Sequence, residues 1–373
     1  MSYPEVDFLY LDEKSMVKAG VTDMHECVEV MSEVFNLMSK GDYVMGGRNH
    51  NSHGILISFP DNPEFPNMPK NGPDRRFMAM AAYLGGRFNV AGEKWYGSNR
   101  ANLEKGLPRS ILMVMLNDAD TGAPIALESA NLISAFRTGA IPGVGAKYLA
   151  RPDSKVCALV AAGAISRTCF MSLADVCKNL DTVNIFDVFP SASEKLAAFI
   201  RENYPQVKNV KIFNDIESTV RDADIVNVAT SGAVLPEIKE SWLKPGVYVS
   251  LPASILLEED FVINRACCVI DNWKMYESWQ AELTPPYSKA LNCLGTILLD
   301  LVLEGKMERE KISDLGDIIT GKVHGRKHNE EKIIFGMGGM PVYDVAWGYT
   351  IYEKAKEMKL GLKLNLWDKP YLY

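Results

Sequence analysis

The stretch from Lys155 to Asp187 constrains the fold more than any other part of the chain. A short apolar run over 155–160 is typical of a strand that is buried on both faces of a parallel sheet. Small residues follow, then an apolar-periodic segment over 165–180, a second strand over 182–186 and the acid Asp187. This succession of strand, tight turn, helix, strand and acid predicts a dinucleotide-binding βαβ unit.

The turn of this unit departs from the usual glycine pattern. The G-x-G-x-x-G/A fingerprint corresponds here to Ala161-Ala162-Gly163-Ala164-Ile165-Ser166, with glycine only where the backbone must come closest to the phosphates. Alanine at the first position is expected to fit only if its φ is negative. Backbone N–H groups at the helix start suit a pyrophosphate, so the candidate cofactor contacts are Ala162, Gly163, Ala164 and Ile165. An ordinary βαβ crossover with a small-residue turn is the alternative.

Further candidate cofactor residues follow the predicted strands. Asp187 is expected to bind the adenosine ribose, and its charge favours NAD because the 2′-phosphate of NADP would meet a like charge. No arginine occurs in the four residues after it. Thr230, Ser231 and Gly232 lie at the end of another predicted parallel strand, where the nicotinamide ribose is expected. In the alternative interpretation Asp187 is a helix N-cap and Thr230 and Ser231 cap a turn.

Composition excludes several classes of protein. The 373 residues suffice for two domains, and 47% hydrophobic with 23% charged residues is typical of a globular protein. A net charge of −7 without any Lys/Arg run argues against nucleic-acid and anionic-membrane partners. Neither a signal peptide nor a transmembrane stretch is recognisable, and the seven scattered cysteines include no C-x-x-C pair, which predicts a cytoplasmic protein. The five histidines show no metal-ligand spacing, so no metal site is predicted.

The order of predicted elements indicates an α/β fold. The first part of the chain alternates helices with short β-type segments that suggest a mostly antiparallel sheet, including a hairpin turn over 117–122. A helix over 131–149 leads into regular alternation of strands and helices, which implies a parallel sheet covered on both faces. The strand candidates of this second part are 155–160, 182–186, 210–213, 225–229, 248–251 and 267–270. The C-terminal part adds a β-type run over 332–337 and a helix over 342–358.

Several blocks, taken together and in order, resemble the ornithine cyclodeaminase/μ-crystallin family. The blocks cover most of the chain, and the T-G-x-P and S-A-x-R-T-G-A blocks are the most specific. They are Gly92-Glu93-Lys94-Trp95, Gly106-Leu107-Pro108-Arg109-Ser110, Leu116 to Pro124, Ile133-Ser134-Ala135-Phe136-Arg137-Thr138-Gly139-Ala140, Ala223-Asp224-Ile225-Val226, Ala229-Thr230-Ser231, Lys244-Pro245-Gly246, Gly316-Asp317, Gly321-Lys322 and Gly325-Arg326.

The resemblance implies two domains. A Rossmann-type domain over 134–330 would carry the dinucleotide, and an α+β domain built from both chain ends, 1–133 and 331–373, would bind substrate and form a homodimer by joining antiparallel sheets into a closed barrel. It also implies oxidation or reduction of the C–N bond of a small amino acid or imino acid through an imine. The blocks around residues 92–98 and 102–109 are most similar to the opine-type branch, which works on carboxyethyl-glutamate.

The resemblance also implies a cationic substrate site made of Arg48, Lys94 and Arg137. Arginine holds a carboxylate bidentately, which orients the Cα–H bond for hydride transfer. A lysine beside other cations has a lowered pKa and suits proton transfer, so Lys94 is the catalytic candidate. The structural alternatives are a surface salt bridge for Arg137 and a solvated edge charge for Lys94.

One departure from the family bears on the reaction. The aspartate that cyclodeaminases use for the distal amine is replaced by Ala253, or by Ser254 if the register slips by one residue. The resulting hypothesis is an NAD-dependent amino-acid or imino-acid oxidoreductase, including an opine-type substrate. The alternatives are ornithine cyclodeaminase proper and a non-catalytic, nucleotide-dependent binding protein of the μ-crystallin type.

Overall fold

The computed structural model describes residues 5–231, 234–253 and 255–372, and its elements are numbered in chain order. The strands are β1 Val6–Leu11, β2 Tyr43–Met45, β3 Ile55–Ser58, β4 Arg76–Leu84, β5 Val90–Ser98, β6 Ser110–Asp118, β7 Pro124–Ser129, β8 Val156–Val160, β9 Thr182–Phe186, β10 Asn209–Ile212, β11 Ile225–Val228, β12 Tyr248–Leu251, β13 Ala266–Ile270, β14 Ile312–Asp314, β15 Lys332–Gly336 and β16 Leu362–Trp367. The α-helices are α1 Glu13–Lys18, α2 Met24–Lys40, α3 Asn131–Leu149, α4 Ala164–Val176, α5 Pro190–Asn203, α6 Ile216–Val220, α7 Glu259–Asn264, α8 Trp273–Ser278, α9 Tyr287–Ala290, α10 Leu294–Leu303, α11 Leu315–Ile319 and α12 Pro341–Glu357. Short 3-10 helices cover Arg100–Lys105, Glu240–Trp242, Trp279–Ala281 and Arg309–Lys311.

The first sheet is mixed and mostly antiparallel. Over the described residues its strands lie in the order β16-β1-β7-β6-β5-β4-β2, and β3 also pairs with β4. β1 runs parallel to β7, whereas the remaining pairs are antiparallel. Side chains alternate between the two faces of β4, β5 and β6. One face packs against α12, and the other keeps large apolar side chains exposed.

The second sheet is parallel, as the alternation of strands and helices predicted. Its strands lie in the order β10-β9-β8-β11-β12-β15-β13-β14 in the described part of the chain. The run β10-β9-β8-β11-β12 reproduces the 3-2-1-4-5 order of a Rossmann sheet. The strand order reverses between β8 and β11, and the turns after these two strands therefore meet at the position where such sheets bind ligands. The predicted fold class is confirmed.

The chain separates into two compact units. The first comprises 5–23, 40–137 and 340–372, and the second comprises the described parts of 24–39 and 138–339. These bounds differ from the predicted domains at three segments: most of α2 and all of β15 belong to the second unit, and residues 134–137 belong to the first. β15 pairs with β12 and β13 in the parallel sheet. An apolar run in a sequence does not reveal which sheet it joins, so this pairing was not foreseeable.

Short-range sequence features, such as turns, agreed with the structure better than the predicted domain bounds did. Asp12 is the N-cap of α1, and its side chain accepts a hydrogen bond from the Ser15 backbone N–H at 2.8 Å. The hairpin turn is closed by Gly122, whose φ is 74°. The edge strands β3 and β16 were missed, since their side chains are mostly exposed and lack a buried face in the chain as described. Among the described residues, no helix is long and apolar enough to span a bilayer.

Candidate functional site

The candidate cofactor turn connects β8 to α4. Ala161 has a φ of 87°, so the expectation of a negative φ at this position was wrong. The Ala161 N–H donates to the Phe186 carbonyl at 2.8 Å, which holds the turn in the conformation that a glycine would adopt without strain. A non-glycine residue in this region costs on the order of 1 kcal/mol. The backbone of the fingerprint is therefore retained although its first glycine is missing.

The start of α4 leaves room for an anion. Gly163 is the N-cap of this helix, and a Cβ built on it would meet no atom within 4 Å. No side chain caps the helix at this end. Backbone N–H groups at an uncapped N-terminus, together with the positive end of the helix dipole, favour a phosphate. The residues that the sequence assigned to the pyrophosphate, Ala162, Gly163, Ala164 and Ile165, form this opening, and the group they suit is a dinucleotide.

Asp187 lies beside the same turn. Its Oδ2 accepts from the Ala162 N–H at 2.7 Å, and its Oδ1 accepts from the Phe189 N–H at 2.8 Å. The carboxylate thus supports the turn and the segment that leads into α5, and it remains partly exposed. It is not the N-cap of α5, because Phe189 occupies that position. Thr230 and Ser231 follow β11, next to β8 in the sheet. Gly232 lies outside the described residues.

A buried ion cluster occupies the inner face of the first sheet. The Asp344 carboxylate accepts from Lys94 Nζ through Oδ2 at 2.9 Å and from Arg137 Nε through Oδ1 at 3.0 Å. All three side chains are almost fully buried. Two cations and one anion leave the cluster with an excess positive charge when Lys94 is protonated. Among the described residues, no other acceptor binds the ammonium of Lys94 or the terminal nitrogens of Arg137.

The environment of Lys94 suits proton transfer. Burial and the neighbouring Arg137 lower the pKa of Lys94 to about 8, although Asp344 opposes this shift. A lysine with a pKa near neutrality exchanges a proton more readily than one at the ordinary value of 10.5. The aromatic ring of Tyr96 lies 5.6 Å from Nζ and adds a weak attraction to the charged form.

The strand and helix geometry explains how the cluster forms. Lys94 lies on β5 between Met80 of β4 and Val114 of β6, on the face toward α12. Asp344 lies in the first turn of α12, where a negative charge is favoured by the helix dipole. The sequence prediction missed Asp344. A single acid within the apolar stretch from Pro341 to Trp347 was the available signal, because such an acid needs a partner once the helix is buried.

A second buried acid lies further along the same face. Glu128 of β7 is opposite Val114, and neither of its carboxylate oxygens has a hydrogen-bond partner in the described structure. Burial raises the pKa of Glu128 to about 8, so the group is mostly protonated at neutral pH. A Cβ at Gly348 of α12 would lie 2.5 Å from Glu128 Oε2, and glycine at this position therefore makes room for the carboxyl group. No pattern in the sequence singles out Glu128.

Two predicted positions lie outside the ion cluster. Arg48 is exposed in the turn after β2, and no hydrogen bond or ion pair of the described residues joins it to Lys94, Arg137 or Asp344. Ala253 follows β12 and is partly buried, and Ser254 lies outside the described residues. No group of three or more His, Cys, Asp or Glu side chains in the described residues is arranged to hold a metal ion.

Some of the blocks that carry the family resemblance have structural roles. Asp224 forms ion pairs with Lys244 at 2.5 Å and with Arg151 at 3.1 Å, and it accepts from two backbone N–H groups at the start of β8. These bonds tie together the amino ends of neighbouring parallel strands. Arg326 likewise donates to backbone carbonyls, including that of Leu149 at 2.8 Å. Charged residues in family blocks are therefore not by themselves evidence of a substrate site.

Comparisons with known proteins identify the family and related folds. The model of the ornithine cyclodeaminase/mu-crystallin family matches residues 20–359. N-((2S)-2-amino-2-carboxyethyl)-L-glutamate dehydrogenase of Staphylococcus aureus is 26% identical over 97% of this chain and 99% of its own length. Alanine dehydrogenase of Archaeoglobus fulgidus is 27% identical over 77% of this chain and 83% of its own length. The structure of Thermococcus litoralis Δ1-pyrroline-2-carboxylate reductase in complex with NADH and L-proline superposes with a TM-score of 0.76 at 25% identity, and covers 95% of this chain and 99% of that one.

Proposed function

Because the chain belongs to the ornithine cyclodeaminase/mu-crystallin family, we propose that it is an NAD-dependent oxidoreductase acting on the C–N bond of an amino acid or imino acid. The observation that carries this proposal is the buried Lys94–Asp344–Arg137 cluster, which keeps an excess positive charge and unused donors. Relatives that are dehydrogenases and reductases of such substrates support the reaction class.

The substrate carboxylate is bound by the unused nitrogens of Arg137 and by an N–H group of Lys94, which both protonation states of the lysine provide. A planar guanidinium fixes the orientation of a carboxylate, and this sets the direction of the neighbouring Cα–H bond. Asp344 positions both cations and partly offsets their mutual repulsion. Arg48 is a third proposed contact to the substrate. Its exposed position after β2 makes it the least supported of the three.

Ala162, Gly163, Ala164 and Ile165 would hold the dinucleotide pyrophosphate at the start of α4, and Asp187, Thr230 and Ser231 would hold its ribose groups. The chemistry that a bound NAD would supply is hydride transfer from or to Cα. In oxidation the substrate nitrogen loses a proton as the imine forms, and neutral Lys94 accepts it. In reduction protonated Lys94 returns that proton to the nitrogen.

The test is a substrate panel read by NADH absorbance, with L-amino acids, opines, cyclic imines, and 2-oxo acids combined with amines. We expect turnover of at least one amino or imino acid, and a loss of about 100-fold or more in kcat/KM for Lys94→Met and Arg137→Met. Lys105→Met is the matched control, because Lys105 is exposed. If no compound of the panel changes the NADH absorbance, the oxidoreductase proposal is refuted. Ammonia release from ornithine with proline as product would instead identify a cyclodeaminase, and a thermal shift with NAD but no turnover would identify a binding protein.

We further propose a homodimer formed through the outer face of the first sheet. This face carries large apolar side chains that are 36–50% exposed, among them Phe77, Trp95, Ile111, Met113 and Met115. Phe77 and Trp95 stack within this patch, with their ring centroids 5.8 Å apart. Large exposed apolar patches mark interfaces. Light scattering should give the mass of a dimer, and Trp95→Glu should give a monomer; a wild-type monomer would exclude this interface.

We also propose that the protein works in the cytoplasm. All seven cysteines lie within the described residues, and none forms a disulfide. Four of them are buried, and burial raises the pKa of six. Reduced, buried thiols are typical of proteins in a reducing compartment. Fractionation of the source cells with an antibody against the chain tests this proposal, and recovery outside the cytoplasmic fraction would contradict it.

A further inference from the structure

The inner face of the first sheet carries a second cationic group beyond Lys94. Three residues share this face at the far end of the strands: Arg76 on β4 is opposite Ser98 on β5, and Ser98 is opposite Ser110 on β6. α12 covers the opposite end of this face: its Asp344 binds Lys94, and its Val345 lies near Gly92. The end of the strands that carries Arg76 therefore lies beyond the first turn of α12.

Arg76 belongs to a small cluster with an excess positive charge. Asp74 pairs with Arg76 Nη1 at 2.8 Å and with Arg109 Nη1 at 3.3 Å, and it accepts from Ser98 Oγ at 2.5 Å. The Ser110 hydroxyl donates to Ser98 Oγ at 2.9 Å, which fixes the serine in its role as donor to Asp74. Two guanidinium groups thus share one carboxylate, and each arginine side chain remains 40–49% exposed.

The Nε atom of Arg76 is buried, and no described residue accepts a hydrogen bond from it. The exposed terminal nitrogens of Arg76 remain accessible to an anion, which would offset part of the cost of leaving this guanidinium underpaired. Asp74 engages the Nη1 side of the guanidinium, so an incoming carboxylate still finds donors on this residue and on Arg109.

Tyr96 connects this cluster to the buried one. Lys94 Nζ lies 5.6 Å and Arg76 Cζ lies 5.9 Å from the centroid of the same Tyr96 ring. The two cations are consequently within about 12 Å of each other. A charge-assisted hydrogen bond at each end spans about 2.7–2.9 Å, so one small molecule with two carboxylates can reach both cations. A glutamate-like molecule, with a short methylene chain between its carboxylates, is of this size.

We propose that Arg76 and Arg109 bind a second carboxylate of the substrate, so that the enzyme selects dicarboxylic over monocarboxylic amino or imino acids. This inference rests on the proposed function, since the first carboxylate is the one bound by Lys94 and Arg137. The tyrosine ring between the two cationic groups accommodates the apolar methylene chain that separates the carboxylates. A substrate with a neutral end group leaves both arginines with only Asp74 as partner.

The test compares pairs of molecules that differ only in whether the side chain ends in a carboxylate or a methyl group. The pairs are L-glutamate with L-norvaline, and 2-oxoglutarate with 2-oxopentanoate. The two oxo acids are supplied together with an amine. In NADH-coupled turnover the wild type should prefer the dicarboxylates by about tenfold or more in kcat/KM. Arg76→Gln and Arg109→Gln should each reduce this preference by lowering kcat/KM for the dicarboxylates more than for the monocarboxylates. Arg100→Gln is the matched control, because Arg100 is exposed on the neighbouring 3-10 helix.

Binding is measured separately, by calorimetric titration of L-glutamate and L-norvaline into the protein with and without NAD. Weaker binding of glutamate alone in Arg76→Gln supports the second carboxylate site even if no substrate in the panel is turned over. Equal binding of glutamate and norvaline by the wild type would overturn it, while NADH-coupled turnover of a monocarboxylate would leave the oxidoreductase proposal standing. An equal loss of both ligands in Arg109→Gln, with an unchanged circular dichroism spectrum, would also overturn it.

Discussion

Glu128 makes the stability of this protein depend on pH in a direction opposite to that of most surface acids. Its pKa rises from 4.5 to about 8 because the carboxyl group is buried. Above pH 4.5 the unfolded chain releases this proton, whereas the folded chain holds it until about pH 8. The unfolded state then binds fewer protons, so the free energy of unfolding decreases as the pH rises through this window.

The magnitude follows from the size of the shift. One pKa unit corresponds to about 1.4 kcal/mol, and the upper limit for the whole window is therefore about 5 kcal/mol. Relaxation and water entry reduce such penalties in real proteins, so we expect about 2 kcal/mol between pH 5.5 and 7.5. Glutamine has nearly the same shape as glutamate and cannot ionise. Glu128→Gln should consequently remove this part of the pH dependence.

The assay is urea unfolding of the wild type and Glu128→Gln at several pH values between 5 and 8.5. The free energy of unfolding of the variant minus that of the wild type should grow with pH by about 1 kcal/mol per unit and level off near the pKa. Glu104→Gln is the control, because Glu104 is exposed. A difference between variant and wild type that stays constant over this range would show that Glu128 is already ionised, and would refute the argument from burial.

Three further predictions concern the turn and the ion cluster. Ala161→Gly should stabilise the protein by about 1 kcal/mol because glycine adopts a φ of 87° without strain, and urea unfolding measures this; a loss of stability would contradict the strain assigned to Ala161. Asp344→Ala should destabilise the folded state by about 3–5 kcal/mol, since it leaves two buried cations without a counter-charge. Asp344→Asn should lower the pKa of Lys94 further, because the carboxylate raises it. In the oxidative direction log kcat/KM should rise with pH and level off near pH 8, where Lys94 becomes neutral, and this inflection should move to lower pH in Asp344→Asn; an unchanged profile would exclude Lys94 as the titrating base.

Sequence patterns predicted elements and the family better than they predicted packing. Apolar runs without alternation gave the strands of the parallel sheet, and the hairpin turn at Gly122 has the φ that its glycine implies. The position of β15 was not predictable, because a run such as 332–336 is equally apolar in either sheet. The φ of Ala161 was predicted with the wrong sign, since the turn is imposed by its hydrogen bonds and not by the preference of the residue.

The sequence by itself determined the parallel-sheet unit, the βαβ turn and the presence of Lys94 and Arg137, because these depend on periodicity and on short blocks of neighbouring residues. Only the tertiary structure decided that Asp344 lies between those two cations, 250 and 207 positions away along the chain. Burial likewise decided the protonation of Glu128 and Lys94. A pKa depends on the solvent and charges within a few ångströms, and in a folded chain those neighbours come from distant segments.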